Sequence, residues 1–402
     1  MANTWCDDAA RELLGYCLRG EIWPRSLLSG LLHRDCSGEL FRVVAEGLAD
    51  RFDPDLCDTY AQLFSEALAL AEPELSAEKL LARYRRIRNP RKFGGGAVRN
   101  VFVLSRVTLG ADVAITSVIL DAAKQRFPDA RIYLAGSRKT WELFEADAGI
   151  EHLEVSYPRS GSLRERLDAW RALRRAVSQP DSITIDPDSR LTQLGLAPVC
   201  RDENYYFFES RSYGGEGDES LGTLTRRWVS DTFGIDRSGA YIAPRHAPAR
   251  RSMVTISLGV GENPAKRIDD PFERELLRAL VARGASILID KGAGGDEAAR
   301  AEAAIAGLPA DRVQCWDGAF APFAAQIACS DMYVGYDSAG QHVAAACGVP
   351  LVSVFAGFPS PRMAARWRPT GAGRIEVVRV ENGEPGWVLE QVLRAIDLLA
   401  LR

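Results

Sequence analysis

No apolar run in this 402-residue chain approaches the roughly 18 residues that a membrane-spanning helix requires. The N-terminus carries Asp7 and Asp8 but lacks the basic and apolar regions of a secretory leader. A cytoplasmic protein is therefore expected. The formal net charge of −4 gives no whole-protein attraction to nucleic acid. The eight cysteines are too few and too scattered for a disulfide scaffold. Cys6, Cys17, Cys36 and Cys57 lack metal-ligand spacing around His33, so they read as half-buried helix residues rather than a zinc site. Cys315, Cys329 and Cys347 stand in apolar contexts and read as core. Among only four histidines, His342 has no neighbour of its kind in sequence, and no metal is expected.

What is present is ordinary globular material, 47% hydrophobic and 26% charged, in a length that suits two or three domains. Residues 1–96 carry helical periodicity and almost no strand signal, and read as an all-helical appendage. An acidic balance over 1–80 gives way to a basic run over 83–92, and Gly94, Gly95 and Gly96 read as a flexible joint. The basic run is either a solvated helix end paired with acidic neighbours or a peripheral contact with an anionic membrane surface. The helical region is also a candidate dock for a protein partner.

From Asn100 the pattern alternates between strand and helix. Strands are predicted over 101–104, 131–134, 152–155 and 182–185, with helices over 112–126, 139–146 and 163–177. A linker is read over 237–251, after which the alternation restarts. Strands are predicted over 253–257, 286–289, 312–315, 332–336 and 351–355, with helices over 271–283, 297–306 and 322–329, and a last one over 387–401. Such alternation implies α/β architecture with parallel, doubly wound sheets. The expected divisions are the appendage 1–96, Rossmann-like domains over 97–240 and 251–380, and a closing helix over 381–402. Ligands of such folds bind beyond the carboxyl ends of the strands, here in the crevice between the halves.

Four constellations carry the chemistry. The run Asp337, Ser338, Ala339, Gly340, Gln341, His342 leaves an apolar strand and opens a helix, whose free N–H groups and dipole suit a phosphate or pyrophosphate. Asp337 can equally be a helix cap, and His342 a satisfied interior histidine. After the strand at 253–257, Gly259 and Gly261 permit close backbone approach, and Lys266 and Arg267 offer charge to a diphosphate or simply decorate a surface loop. Asp296 and Glu297 close a glycine-rich loop at a helix start, where they either cap or accept hydrogen bonds from ribose or sugar hydroxyls. Asp112 follows the first strand of the first half, as an N-terminal helix residue or as a general base for an acceptor hydroxyl.

In this order the motifs resemble those of glycosyltransferase family 9, the heptosyltransferase-like enzymes of bacterial lipopolysaccharide assembly. The similarity spans about 100–380. The family's Leu-Gly-Asp turn looks like Leu109, Gly110, Ala111, Asp112, and Phe127 to Ile132 is similar to its continuation. Its lysine motif resembles Lys266, Arg267, Ile268. Its donor turn looks like Asp337 to Ala345, continued by Gly348 to Pro350 and by Phe355 to Gly357. Three residues depart from the pattern: Ala111 is extra, Ile268 replaces a tryptophan, and Ala339 replaces a glycine.

The resemblance implies a GT-B fold and an inverting glycosyltransferase that needs no metal or other cofactor. It implies Asp112 as general base and Lys266 as the cation on the leaving diphosphate. Asp296 is implied for donor hydroxyls, and Asp337, Ser338 and Ala339 for donor phosphate or sugar. The donor would be a nucleotide sugar, ADP-heptose among the candidates, and the acceptor a saccharide, glycolipid or protein of the cell envelope. The location implied is cytoplasmic, with a peripheral inner-membrane contact as the second reading. Two other functions fit the same scaffold: a nucleotide-sugar epimerase, and a catalytically silent binding protein.

Overall fold

In a computed structural model, the chain is described over residues 2–33, 36–245, 248, 252–261, 263–292, 294–381 and 383–400, with the side chains of Ala2 and Asn3 left out. Part of the expected 237–251 linker, the start of the second half at Arg251 and the end of the last helix at Leu401 lie outside these residues. Two compact units emerge. The first comprises 1–108, 119–140 and 149–238; the second comprises 109–118, 141–148 and 239–402.

The first unit holds a five-stranded parallel sheet: β1 (Asn100–Leu104), β2 (Arg131–Gly136), β3 (Glu151–Glu154), β4 (Ser182–Asp186) and β5 (Tyr205–Phe207), in the order β3-β2-β1-β4-β5. β4 is buried along its whole length and β1 over four of five residues, whereas the edge strand β3 is largely accessible. That gradient explains the uninterrupted apolar runs of the central strands, since helices cover both faces of a parallel sheet.

The N-terminal helices are not a separate body. Leu13, Leu31, Leu40, Phe64, Leu68 and Tyr84 share one apolar core with Phe102, Leu104, Leu173 and Phe207. Most of the basic run is consumed inside this unit. Arg83 is buried, with Nε 2.7 Å from Asp202 Oδ1 and Nη1 donating to the Gly195 carbonyl at 2.8 Å. Arg86 pairs with Asp202, Arg88 with Glu209 and Asp58, and Arg91 donates to the carbonyls of Asp202, Glu203 and Tyr205. Arg85 and Lys92 remain exposed.

The glycines read as a joint are followed closely by β1 and preceded by Phe93. The Phe93 amide donates to the Thr232 carbonyl at 2.7 Å, and its ring packs against Phe127, Tyr206 and Phe233.

The second unit holds six parallel strands: β6 (Val254–Ser257), β7 (Ile287–Asp290), β8 (Val313–Trp316), β9 (Met332–Tyr336), β10 (Leu351–Phe355) and β11 (Ile375–Arg379), in the order β11-β10-β9-β6-β7-β8. The order reverses between β6 and β9, where Ser257 lies in register with Gly335. Segments 141–148 and 239–245 bind each other through Ala146 N to Ala243 O (2.8 Å), Ala243 N to Leu143 O (2.7 Å) and Tyr241 OH to Asp147 Oδ2 (2.7 Å).

Several expectations need correction. Cys6 and Cys36 form a disulfide, because the first helix and the turn before Ser37 pack with their Cα atoms 5.2 Å apart. Cys315 is exposed rather than core, since β8 is an edge strand accessible along its length. The helix expected over 139–146 is a single turn, Arg138–Trp141, because the chain then breaks away to meet the 239–245 strand-like segment. β5, β11, and the helices Leu221–Phe233 and Pro361–Trp367 were hidden in the pattern; the Leu221–Phe233 helix is capped by Ser220 and terminated by Gly234 in the left-handed conformation.

Candidate functional site

All eleven residues singled out from the sequence fall in the second unit. The site is built on the carboxyl ends of β6 and β9, on either side of the point where strand order reverses. In open α/β sheets that point leaves a crevice between loops running in opposite directions.

β9 ends at Tyr336, and the Asp337 amide donates to the Val354 carbonyl at 3.1 Å. Ser338 then takes an extended conformation, φ −150°, and the helix Ala339–Ala346 begins. The Ser338 hydroxyl does not cap that helix; it lies 3.3 Å from the Tyr333 hydroxyl. The first helical amides are therefore not consumed by a side-chain cap, and they carry the positive end of the helix dipole.

Gly340 has a packing role at the start of this helix. A Cβ there would lie 2.3 Å from the Tyr333 hydroxyl oxygen. The missing side chain admits a fully buried tyrosine under the first turn of the helix. Burial pushes the Tyr333 hydroxyl well above its usual range, so it stays neutral and available as a donor.

Lys266 closes a short 3₁₀ turn, Pro264–Lys266, at which the Asn263 side chain accepts from the Ala265 amide at 3.1 Å. Its ammonium lies 2.8 Å from Asp337 Oδ2 and 3.2 Å from the Asp337 carbonyl oxygen. Asp337 Oδ1 accepts from Gln341 Nε2 at 2.5 Å, and Gln341 Oε1 in turn accepts from Ser353 Oγ at 2.5 Å. The pair is mostly shielded, with side-chain exposures of 19% for Lys266 and 9% for Asp337. A cation is thus fixed beside a helix N-terminus by a network that satisfies both carboxylate oxygens.

Arg267 is brought near but committed elsewhere. Its Nη2 lies 2.7 Å from Asp270 and its Nε 3.2 Å from buried Glu273, which also accepts from the Tyr336 hydroxyl. Ile268 is buried, and its amide donates to the Tyr336 hydroxyl at 3.2 Å.

At Gly259 and Gly261 the backbone meets an internal carboxylate. The amides of Val260 and Gly261 both donate to Glu297 Oε1 at 2.9 Å, and a Cβ on Gly259 would stand 3.1 Å from the same oxygen. The close approach that glycine permits is therefore used by an internal carboxylate. Of the two acids at this helix start, Glu297 is the one engaged in this way, whereas Asp296, the acid implied by the resemblance, is exposed in the first turn of the Gly295–Ile305 helix. Glu262 and Ala293, in these two loops, lie outside the described residues. Asp290, at the end of β7, is half-buried, and that burial raises its carboxyl above the usual range.

Asp112 belongs to the segment 109–118, which packs in the same unit as the donor-turn helix. A Cβ on Gly110 would lie 3.2 Å from both Ala339 Cα and His342 Cδ2. After one helical turn at Leu109–Ala111 the backbone widens into a π-turn over Asp112–Thr116. A π-turn holds one residue more per turn than an α-turn. Asp112 has no exposed surface, and its Oδ1 accepts from the Thr116 hydroxyl at 2.8 Å. His342 is buried against the Trp367 ring, and burial pushes its imidazole down to about 4, so it is neutral. Its Nε2 lies 3.3 Å from Gln341 Nε2.

Among the described residues, no group of three or more His, Cys, Asp or Glu is placed to hold a metal ion, and no helix is long and apolar enough to cross a membrane.

Against known proteins, residues 224–384 match the model of Glycosyltransferase family 9 (heptosyltransferase). No curated protein sequence matches the chain. Among solved structures the fold is similar to a glycosyl transferase family 9 protein from Veillonella parvula, at 15% identity over 75% of this chain and 97% of that one, with a TM-score of 0.56. It is similar to Escherichia coli heptosyltransferase WaaC with ADP, at 17% identity over 74% and 99%, TM-score 0.56. It is also similar to Escherichia coli ADP-heptose lps heptosyltransferase II, at 16% identity over 75% and 98%, TM-score 0.53. The likeness to these structures is one of fold, two parallel α/β sheets of the GT-B kind. The family 9 match covers residues 224–384, the stretch that holds β6 to β11 and the Lys266–Asp337 pair.

Proposed function

We propose that the chain is a glycosyltransferase that takes its sugar from a nucleoside-diphosphate donor seated at the carboxyl ends of β6 and β9. The observation that carries the reading is the Lys266 ammonium, held 2.8 Å from Asp337 at the start of the Ala339–Ala346 helix. Lys266 and the opening amides of that helix would carry the charge of the departing diphosphate, with Asp337 and Ser338 shaping the turn beneath it. Asp296, exposed at the start of the Gly295–Ile305 helix, is the candidate acceptor for donor hydroxyls.

The reaction proposed is a single inverting displacement. An acceptor hydroxyl of a saccharide, glycolipid or protein attacks the anomeric carbon. The bond to the diphosphate oxygen breaks, and the hydroxyl proton passes to Asp112. The electrostatic work is assigned to Lys266 and the helix rather than to a metal. The similar WaaC structures are of that enzyme with ADP and with ADP-2-deoxy-2-fluoro heptose, which makes ADP the first nucleotide to test here.

The test is a thermal-shift panel of ADP, UDP, GDP and dTDP on the full chain. A ligand that binds only the folded state raises the apparent Tm. One nucleoside diphosphate is expected to raise the wild-type Tm and to lose that effect in K266A. No shift from any of the four at millimolar concentration would sink the reading.

A further inference from the structure

Glu297 is the third residue of the Gly295–Ile305 helix, where the dipole favours a negative side chain. It spends one carboxylate oxygen on two successive amides of another loop, Val260 and Gly261, at 2.9 Å each. From those amides a run of hydrogen bonds leads to Lys266. The Val260 carbonyl accepts from the Asn263 amide at 3.3 Å, and the Asn263 carbonyl accepts from the Lys266 amide at 3.2 Å. Two glycines make room for the carboxylate: a Cβ on Gly292 would lie 2.3 Å from Glu297 Oε2, and one on Gly259 3.1 Å from Oε1. Successive amides that converge on one point form an anion-binding concavity. Here the concavity is filled from within.

We infer that Glu297 is a positioning residue for Lys266: its carboxylate anchors the Val260 and Gly261 amides and so sets the turn from which the Lys266 ammonium reaches Asp337. This rests on the donor-site reading for its consequence in catalysis, but not for its geometry. By filling the concavity with a carboxylate, Glu297 also denies it to a phosphate and leaves Lys266 as the cation that a diphosphate meets. Glu297 acts through Lys266, not on the reacting atoms.

The test uses the full chain without ligand. Lysine amines are acylated with an N-hydroxysuccinimide acetate and the rate at each lysine is read by mass spectrometry, with exposed Lys79 and Lys139 as internal controls. E297A is expected to acylate Lys266 about tenfold faster than wild type, the scale set by losing two ordinary hydrogen bonds. E297Q is expected to match wild type, because its amide oxygen can accept from the same two amides. Should E297A fail to fold, G292A displaces the carboxylate without removing it, and the same acceleration is expected. Unchanged Lys266 acylation in E297A or G292A, or equal acceleration in E297A and E297Q, would overturn the inference. If the rates behave as expected while ADP affinity is indifferent to Glu297 and Lys266 alike, the positioning of Lys266 by Glu297 stands and the donor-site reading falls.

Discussion

Lys266 and Asp337 are separated by 71 residues and meet at 2.8 Å across the point where the strand order of the second sheet reverses. Neither residue is a partner by local sequence. β6 and β9 are adjacent parallel strands, so the loops that follow them must emerge side by side. The ion pair follows from topology first and side-chain chemistry second. What the pair adds is a cation immobilised where a helix already favours an anion.

Asp112 carries the proposed proton transfer. Replacing it by Asn keeps the side-chain volume and an oxygen that can accept from the Thr116 hydroxyl, but removes the capacity to take a proton. Turnover in D112N is expected to fall about 10²–10⁴-fold, the usual range for a general base. Nucleoside-diphosphate affinity should stay within error of wild type. Steady-state kinetics beside calorimetry separates the two, and normal turnover would remove the role from this carboxylate.

Gly357 has φ +61°, and a Cβ there would lie 2.3 Å from the backbone carbonyl of Ala265. G357A must therefore push on the turn that carries Lys266 rather than on a yielding side chain. Weakened donor or ADP binding by about tenfold is expected, together with a stability loss of about 1–3 kcal/mol from the strained backbone. Denaturant titration and calorimetry on the same preparation check both. Unaltered binding in a destabilised variant would show that the turn tolerates displacement.

His342 gives a pH signature. Its folded pKa of about 4 lies below the usual 6.5, so the unfolded chain takes up the proton first as pH falls. The contribution to stability is therefore full above about 6.5, is lost progressively between 6.5 and 4, and changes no further below that. The scale is about 3 kcal/mol at most. Buried carboxyls such as Asp186, raised to about 6, slope the opposite way, so the difference between wild type and H342Q isolates the histidine. Stability differences that stay flat from pH 7 to 4 would contradict its burial as a neutral ring.

The shared core of the first unit predicts joint unfolding of its helices and sheet. Amides in Pro54–Ala71 and Ala77–Ile87 should exchange with the same opening free energy as those of β1 and β4. Native-state hydrogen exchange measures this directly. A helical block that opens at markedly lower free energy would mark it as an independent body.

The strands that were legible in the sequence are the central ones, such as Met332–Tyr336 and Leu351–Phe355, because burial on both faces writes a continuous apolar run. Three-residue β5, set within an aromatic stretch, and the half-exposed edge strand β11 leave no such trace. Lys266 and Asp337 were readable because a strand, a polar turn and a helix start are local signals. Glu297 was not, since its partners lie 36 and 37 residues away and local spacing points equally to Asp296. The same limit hid the Cys6–Cys36 disulfide, the commitment of Arg267 to Asp270 and Glu273, and the Tyr333 ring that accounts for Gly340. Local periodicity records which face is buried; it does not record which side chain waits on the other side.

Lys266 as the cation of the donor site is tested by isothermal calorimetry with ADP on wild type and K266A. Binding in wild type that weakens about 10–100-fold in K266A, the loss of a charged hydrogen bond to phosphate, is the predicted result. ADP that binds both proteins with equal affinity would contradict it.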